Sequence, residues 1–234
     1  MNTKFKINHT LVVALVLGIT VFSSCSKDRI ETPELTSYES MNEYFDSQKQ
    51  EEQEFVIDTL GECPIIGKLG TKICLDKNKL VLANGDSVFY PYTLKLVELY
   101  TPKDLLYYQA LSNSKTGVFS TKSAVRIRAA KNDSELALRS DGVIEVEMKD
   151  SVATNSQSVY VEETTNPFVW QKNDEEFTKT DYGYIAMINE LGWNAAGKDI
   201  VYNQTVKLSF TSQTDNLETV RIFVYLPAHE SLLE

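Results

Sequence analysis

The sequence predicts a mainly β protein: a signal peptide and tether, one N-terminal helix, then an Ig-like β-sandwich followed by a smaller β-domain. Three observations predict it. From Glu54 onward apolar and polar residues alternate with period two and are rich in β-branched and aromatic side chains. The alternating runs are short, and Gly, Asn and Asp punctuate them. The links between runs are mostly turn-like, whereas a parallel α/β sheet needs helical crossovers.

The front end is a secretory pattern. Lys4 and Lys6 precede an apolar run from Leu11 to Val21, which stops at Ser23, Ser24 and Cys25. A membrane-spanning helix needs ~20 apolar residues, and this run is too short unless His9 and the serines enter hydrocarbon. Cleavage before Cys25 and lipidation of that cysteine is the leading reading. The alternative is ordinary cleavage near Ser23 or Ser24, which leaves an idle cysteine. Phe22 stands where lipoprotein leaders usually have Leu. Each buried acyl methylene contributes about 0.8 kcal/mol, so two or three chains anchor essentially permanently. Ser26 after the cysteine, in place of Asp, favours the outer membrane, and Asp28 and Glu31 are interrupted by Lys27 and Arg29. Cell surface and periplasmic face both stay open.

Removing residues 1 to 24 takes away two of the 23 basic residues and none of the 33 acidic ones, so the formal charge moves from −10 to −12. Such a surface repels polyphosphates and argues against nucleic acid as a partner. Of three cysteines, Cys25 is assigned to lipid, and Cys63 and Cys74 remain as a pair in an oxidising compartment. A disulfide is the preferred reading over free thiols, worth about 3 kcal/mol on the chain-entropy model. No histidine lies near enough in sequence to make the pair a zinc site.

In order, residues 25–35 read as a flexible tether containing Pro33, and residues 36–53 as a helix. Thr36 with Glu39 and Ser40 with Glu43 are possible capping boxes, and Tyr38, Met41, Tyr44 and Phe45 recur at helical spacing. That stripe reads as packing on the domain below. Residues 54–150 read as the sandwich, with strands at 55–59, 72–75, 80–82, 87–90, 92–100, 117–121, 122–130, 135–138 and 143–149. Asn84-Gly85 suits a type I′ turn, and Asn132-Asp133 and Asp141-Gly142 supply further turns. Pro91 lacks a backbone donor, so a strand bends or ends there. Thr101-Pro102-Lys103-Asp104 opens a short helix. Residues 151–234 read as the smaller β-domain, with strands at 181–191, 199–211 and 219–226. In the second of these Val206, Leu208 and Phe210 share a face.

Gly70-Thr71-Lys72-Ile73, Leu94 to Tyr100 running into Lys103-Asp104-Leu105-Leu106, and Leu191-Gly192-Trp193-Asn194 together resemble a family of Bacteroidota lipoproteins. The resemblance spans roughly residues 70–226. It implies a ZU5-like β-sandwich ahead of a smaller region carrying the Leu-Gly-Trp segment, and envelope location, in a family mostly without assigned activity. Members often continue from the tryptophan through Ile-Asn to Cys or Asp. Here Asn194, Ala195 and Ala196 follow Trp193, so no role of that cysteine or acid carries over. Some ZU5-containing proteins cut themselves at a His-Phe-Ser sequence, and this chain has none.

The sequence offers little chemistry. His229, the one histidine after the leader, sits near the end of the chain and reads as a surface residue of a frayed tail. There is no Gly-x-Ser-x-Gly elbow, His-Glu-x-x-His helix or Walker loop. Glu145 with Glu147, or Glu162 with Glu163, could form the carboxylate pair of a glycoside hydrolase. Alternating glutamates more often mark the wet face of a strand. The run Asn173-Asp174-Glu175-Glu176 has oxygen ligands for calcium but not the Asp-x-Asp-x-Asp-Gly spacing, so a solvated loop is the preferred reading. Trp170 and Trp193 are the candidate binding residues, because aromatics on loops can stack on sugars or anchor a partner; core packing is the preferred reading for Trp193 and stands level with binding for Trp170.

The expectation is therefore a non-enzymatic lipoprotein with no cofactor and no bound metal. It is held by its lipid to the outer membrane and binds another envelope or surface component through loops or a sheet edge. A glycan ligand held by Trp170 and Trp193, and a carboxylate-dependent hydrolase, are the rivals. Mature protein extracted from its own cells should carry fatty acid on Cys25 by mass spectrometry, and Cys25→Ser should abolish it. A chain found cleaved and unacylated would remove the membrane placement.

Overall fold

The computed structural model describes residues 37–59, 63–153, 155–163, 168–202, 207–213 and 220–234. The leader, Cys25 and the tether lie outside them. Ser40–Glu234 form one compact unit. It opens with helix α1 (Met41–Gln48), capped by Ser40, whose hydroxyl accepts from the Glu43 backbone N–H at 3.1 Å. The helix is shorter than the 36–53 expected. Its partner α2 (Pro102–Tyr107) has a full capping box between Thr101 and Asp104, as the Thr-Pro-Lys-Asp spacing predicts.

The fold is mainly β, in two antiparallel sheets joined by one strand. The first sheet runs β1 (Gln53–Ile57), β5 (Tyr92–Leu99), β7 (Gly117–Lys131), β14 (Gly192–Asp199), β11 (Gln157–Glu163) and β12 (Val169–Lys179). The second runs from β12 through β13 (Gly183–Ile188) and β10 (Ile144–Lys149) to β3 (Lys72–Cys74) and β2 (Ile65–Ile66). Residues Gln157 to Glu163 pair with the first part of β12, and Thr178 and Lys179 at its end pair with β13. The transfer falls between Phe177, the last residue paired with β11, and Thr178, the first paired with β13; earlier in the strand is an irregularity where Val159 alone stands opposite Asn173, Asp174 and Glu175.

Strand alternation sorts the apolar residues into two cores. Leu94 and Leu96 of β5 and Val125 and Ile127 of β7 face Ile144, Val146 and Met148 of β10 between the sheets. Val97, Leu99, Phe119, Tyr160, Trp170 and Trp193 point the other way and pack with Leu105 of α2 and with Leu232 of a C-terminal hairpin, β15 (Val224–Leu226) and β16 (Ser231–Leu233). Phe45 of α1 joins that side through Tyr107 and Phe223, with ring centroids 6.1 and 5.8 Å away, as expected of its stripe, whereas Met41 and Tyr44 of the same stripe stay exposed, because only one edge of the short helix meets the sheet.

Several expectations are corrected. No boundary separates residues 54–150 from 151–234. β14 lies between β7 and β11, and β13 pairs with β10, so both halves share both sheets. The central strand β14 and the linking strand β12 were read as loops, and 117–121 and 122–130 form one strand, β7. Residues 200–202 and 207–213 lie outside any strand, against the strand expected over 199–211. The Asn84-Gly85 turn has positive φ at Gly85 alone, and the Leu82 carbonyl accepts from Gly85 N–H at 2.8 Å, so it is a three-residue loop; Asn132 and Asp133, with φ of 48° and 63°, make the type I′ turn. The tail is not frayed: Ser112 N–H donates to the Leu232 carbonyl at 2.8 Å, and Leu232 N–H donates to Ser112 Oγ at 3.0 Å.

One buried acid holds the open side of the sandwich. Inward alternation along Leu94, Leu96 and Glu98 places the Glu98 carboxylate in the interior at 0% exposure. It accepts from Gln53 Nε2 of β1, and from the backbone N–H groups of Leu69 and Thr71 in the β2–β3 turn, each at 2.8 Å. Gln53 Oε1 in turn accepts from Lys68 N–H at 2.7 Å. At Gly67 a Cβ would come within 2.7 Å of the Glu98 carboxyl carbon, so glycine there permits the close approach. Glu98→Ala leaves these buried donors without an acceptor. It should lower unfolding free energy by about 3 kcal/mol and Tm by roughly 6–12 °C, with Glu98→Gln losing less because one acceptor oxygen stays. Chemical denaturation measures this, and a loss under about 1 kcal/mol would refute the clamp.

Candidate functional site

The two tryptophans are structural. Trp170 is fully buried, its indole N–H donates to the Leu111 carbonyl at 2.8 Å, and its ring meets Phe168 and Phe119 edge-on at 5.0 and 6.1 Å. Trp193 is 7% exposed, beneath Tyr108 at 5.4 Å and the Arg126 guanidinium at 5.5 Å. Neither ring is available to stack on a sugar, which corrects the exposed-aromatic reading. Cys63 and Cys74 form a disulfide with Cα atoms 5.0 Å apart, linking the segment just before β2 to the end of β3. His229 is exposed, in a short 3-10 turn that leads into β16.

The acids behave differently from one another. Glu147 on β10 ties β3 to the turn after β12: its carboxylate accepts from Lys72 Nζ at 2.7 Å and from Thr180 Oγ1 at 2.9 Å. Burial pushes its pKa up, but those hydrogen bonds and the lysine charge outweigh it and leave it lowered. Glu52 takes Arg126 Nη2 and Arg128 Nε, both at 3.0 Å, and a further contact from Arg128 Nη2. Arg128 Nη1 continues to Glu135 at 2.8 Å. Glu163 pairs with Lys115. Among the described residues no group of three or more His, Cys, Asp or Glu side chains is arranged to hold a metal ion.

Four carboxylates, Glu162, Glu163, Asp174 and Glu190, border one open trough of about 350 Å³, lined also by Val161, Gln171, Lys172 and Asn173. Its floor is the end of β11 and the irregular part of β12. The extra residues of β12 raise Asp174 to the surface while Glu175 turns to Asn189, whose Nδ2 donates to it at 2.7 Å. Lys172 borders the trough and donates to Asp199 Oδ2 at 2.6 Å, and Asp199 Oδ1 accepts from Tyr160 OH at 2.8 Å. The lysine bond chiefly, with the Tyr160 bond, lowers the Asp199 pKa against its burial; burial and then Asp199 raise that of Tyr160.

This arrangement suits recognition of cationic or hydrogen-bonding surfaces. Of the residues singled out in sequence, Glu162, Glu163, Asn173 and Asp174 are brought together here, while Glu145 and Glu147 lie on β10 in the other sheet. Lys172, Gln171 and Glu190 were missed; the alternation Trp170, Lys172, Asp174 was the available signal, masked by the charge of the segment. No family model, curated protein or solved structure matches this chain.

Burial raises the pKa of Glu162, against the pull of Arg126. For an acid shifted upward, folding favours the protonated form, so stability falls as pH rises from the unfolded pKa through the folded one. Glu162→Gln should therefore raise Tm at pH 7, and the gain should vanish below pH 4, where both states are protonated. Thermal melts across pH check this, and a gain independent of pH would refute the ionisation argument.

Proposed function

We propose that this chain is a lipid-anchored envelope protein that binds another envelope or surface component through the trough at the β11–β12 end of its sandwich, without transforming it. Lipid on Cys25 would tie the chain to the outer membrane, on a face still to be assigned. The secretory pattern ending in Ser23-Ser24-Cys25 supports the anchor, and among the described residues no helix is long and apolar enough to cross a membrane. The resemblance to Bacteroidota lipoproteins with a ZU5-like sandwich is in keeping with this reading. The disulfide fits an oxidising compartment.

The observation that carries the binding reading is the trough itself. It is open and polar, and Glu162, Glu163, Asp174 and Glu190 outnumber its one lysine. A partner presenting basic groups fits it best, and complementarity of this kind acts mainly on selectivity and encounter rate. A photo-crosslinker at Gln171, exposed in the trough, should capture a defined partner from intact envelopes, while one at Val56, exposed on edge strand β1, should not. Asp174→Lys with Glu190→Lys should weaken capture by about tenfold or more, an effect that added salt shrinks. Equal capture from both positions, or capture indifferent to the charge reversals, would count against the trough.

A further inference from the structure

The trough does not end at Lys172. That side chain also lines a second open depression, of about 450 Å³, so the two share a wall. Val118, Ile200, Val201 and Tyr202 give the second depression apolar sides, and Thr116 stands on its rim. Val201 is 96% exposed and Tyr202 60%. The segment that carries them is tied to β7, since Ile200 N–H donates to the Val118 carbonyl at 3.1 Å. Exposed apolar side chains gathered around a concavity mark a surface that a partner covers.

Charge tells the two depressions apart. Lys172 Nζ donates to Asp199 Oδ2 at 2.6 Å, so the shared wall is close to neutral and does not cancel the acids of the trough. Asp199 is the one acid lining the apolar depression, and Lys172 holds it. In the trough Glu163 is paired with Lys115, whereas Glu162, Asp174 and Glu190 have no ion-pair partner among the described residues. One half of the combined surface therefore asks for a cation and the other for an apolar side chain. A glycan lacks the apolar side chain and an anionic lipid lacks the cation, whereas a polypeptide offers both.

From the shared wall we infer that the partner is an extended polypeptide segment that seats a basic side chain among Glu162, Asp174 and Glu190 and an apolar one against Val118, Val201 and Tyr202. The inference rests on the reading that the trough binds a partner, and it adds the second half of the contact and the residue pattern that the partner must present. One side chain separates the depressions. On one face of an extended segment, residues two or four apart stand roughly 7 or 13 Å from each other, so a basic and an apolar residue at either spacing reach one depression each. Adjacent residues point to opposite faces and cannot. Apolar burial then supplies affinity, while the acids supply selectivity and salt dependence.

The test uses the full mature chain and fluorescently labelled Ser-Thr decapeptides that carry Arg and Leu two apart, Arg and Leu four apart, Arg and Leu adjacent, Arg alone, or Leu alone. Fluorescence anisotropy reads the binding. The two-apart or the four-apart peptide should bind at least about tenfold more tightly than the adjacent and single-residue peptides. Asp174→Lys should bring it down to the level of Leu alone and remove most of its salt dependence. Val201→Ser should bring it down to the level of Arg alone and leave the salt dependence in place. Both positions are exposed, so neither substitution disturbs the core. Arg peptides that bind and respond to Asp174→Lys, with no gain from Leu and no response to Val201→Ser, overturn the second half of the contact and leave the trough reading standing. An adjacent Arg-Leu peptide that binds as tightly as the spaced ones overturns the extended pattern. Binding that responds to Val201→Ser but ignores Asp174→Lys overturns both readings, and so does the absence of binding by every peptide up to about 1 mM.

Discussion

A sandwich whose sheets are linked by one strand has an open side, and here a single buried carboxylate closes it. Glu98 lies on β5 but bonds outward in two directions, to Gln53 on edge strand β1 and to the backbone of the turn that joins β2 and β3 at the edge of the other sheet. A buried charge is costly unless its lone pairs are filled. Three donors at 2.8 Å fill them, so the acid specifies which turn conformation the edge must adopt. Thr71 and Tyr100 extend the contact, their hydroxyls 2.9 Å apart. The Tyr100 hydroxyl also accepts from Lys149 N–H at 3.1 Å, and burial, partly offset by these bonds, pushes its pKa up to about 12.

The opposite side is closed covalently, by β12 passing from one sheet to the other. A strand that serves two sheets must change partners along its length, and β12 leaves β11 after Phe177 to pair with β13 at Thr178 and Lys179. An irregularity earlier in the same strand, where three residues stand opposite Val159, brings Asp174 and Asn173 to the wall of the trough. The strand that links the sheets thus also walls the charged trough.

Alternation made much of this legible. Leu94, Leu96, Val125, Ile127, Val146 and Met148 fall on the inner faces as their spacing requires, and the capped helix at Thr101 formed where its residues indicated. The two strands that organise the first sheet were not legible, for opposite reasons. β14 reads Gly-Trp-Asn-Ala-Ala-Gly-Lys-Asp, a composition poor in strand formers; its small residues answer crowding, since a Cβ at Gly197 would lie 2.3 Å from the Ser120 carbonyl oxygen. β12 is dense in charge because much of its surface faces water, so its pattern looked like a loop. Conversely, residues 207–211 alternate like a strand without being one, because alternation records an apolar face and not the partner that would cover it. Glu98 was the readable exception: an acid in phase with Leu94 and Leu96 must be either solvated at a strand end or clamped inside.

The bridge from Lys172 to Asp199 to Tyr160 lies between two surfaces of unlike chemistry. Lys172 lines the acidic trough and also the depression beside Val118 and Tyr202. Because Asp199 has a lowered folded pKa, its contribution to stability is present above the unfolded pKa and is lost only as pH falls through the folded one. The divider therefore persists through neutral and mildly acidic conditions. On one side of it the carboxylates attract cations and resist desolvation; on the other, Val118, Val201 and Tyr202 give the depression apolar walls.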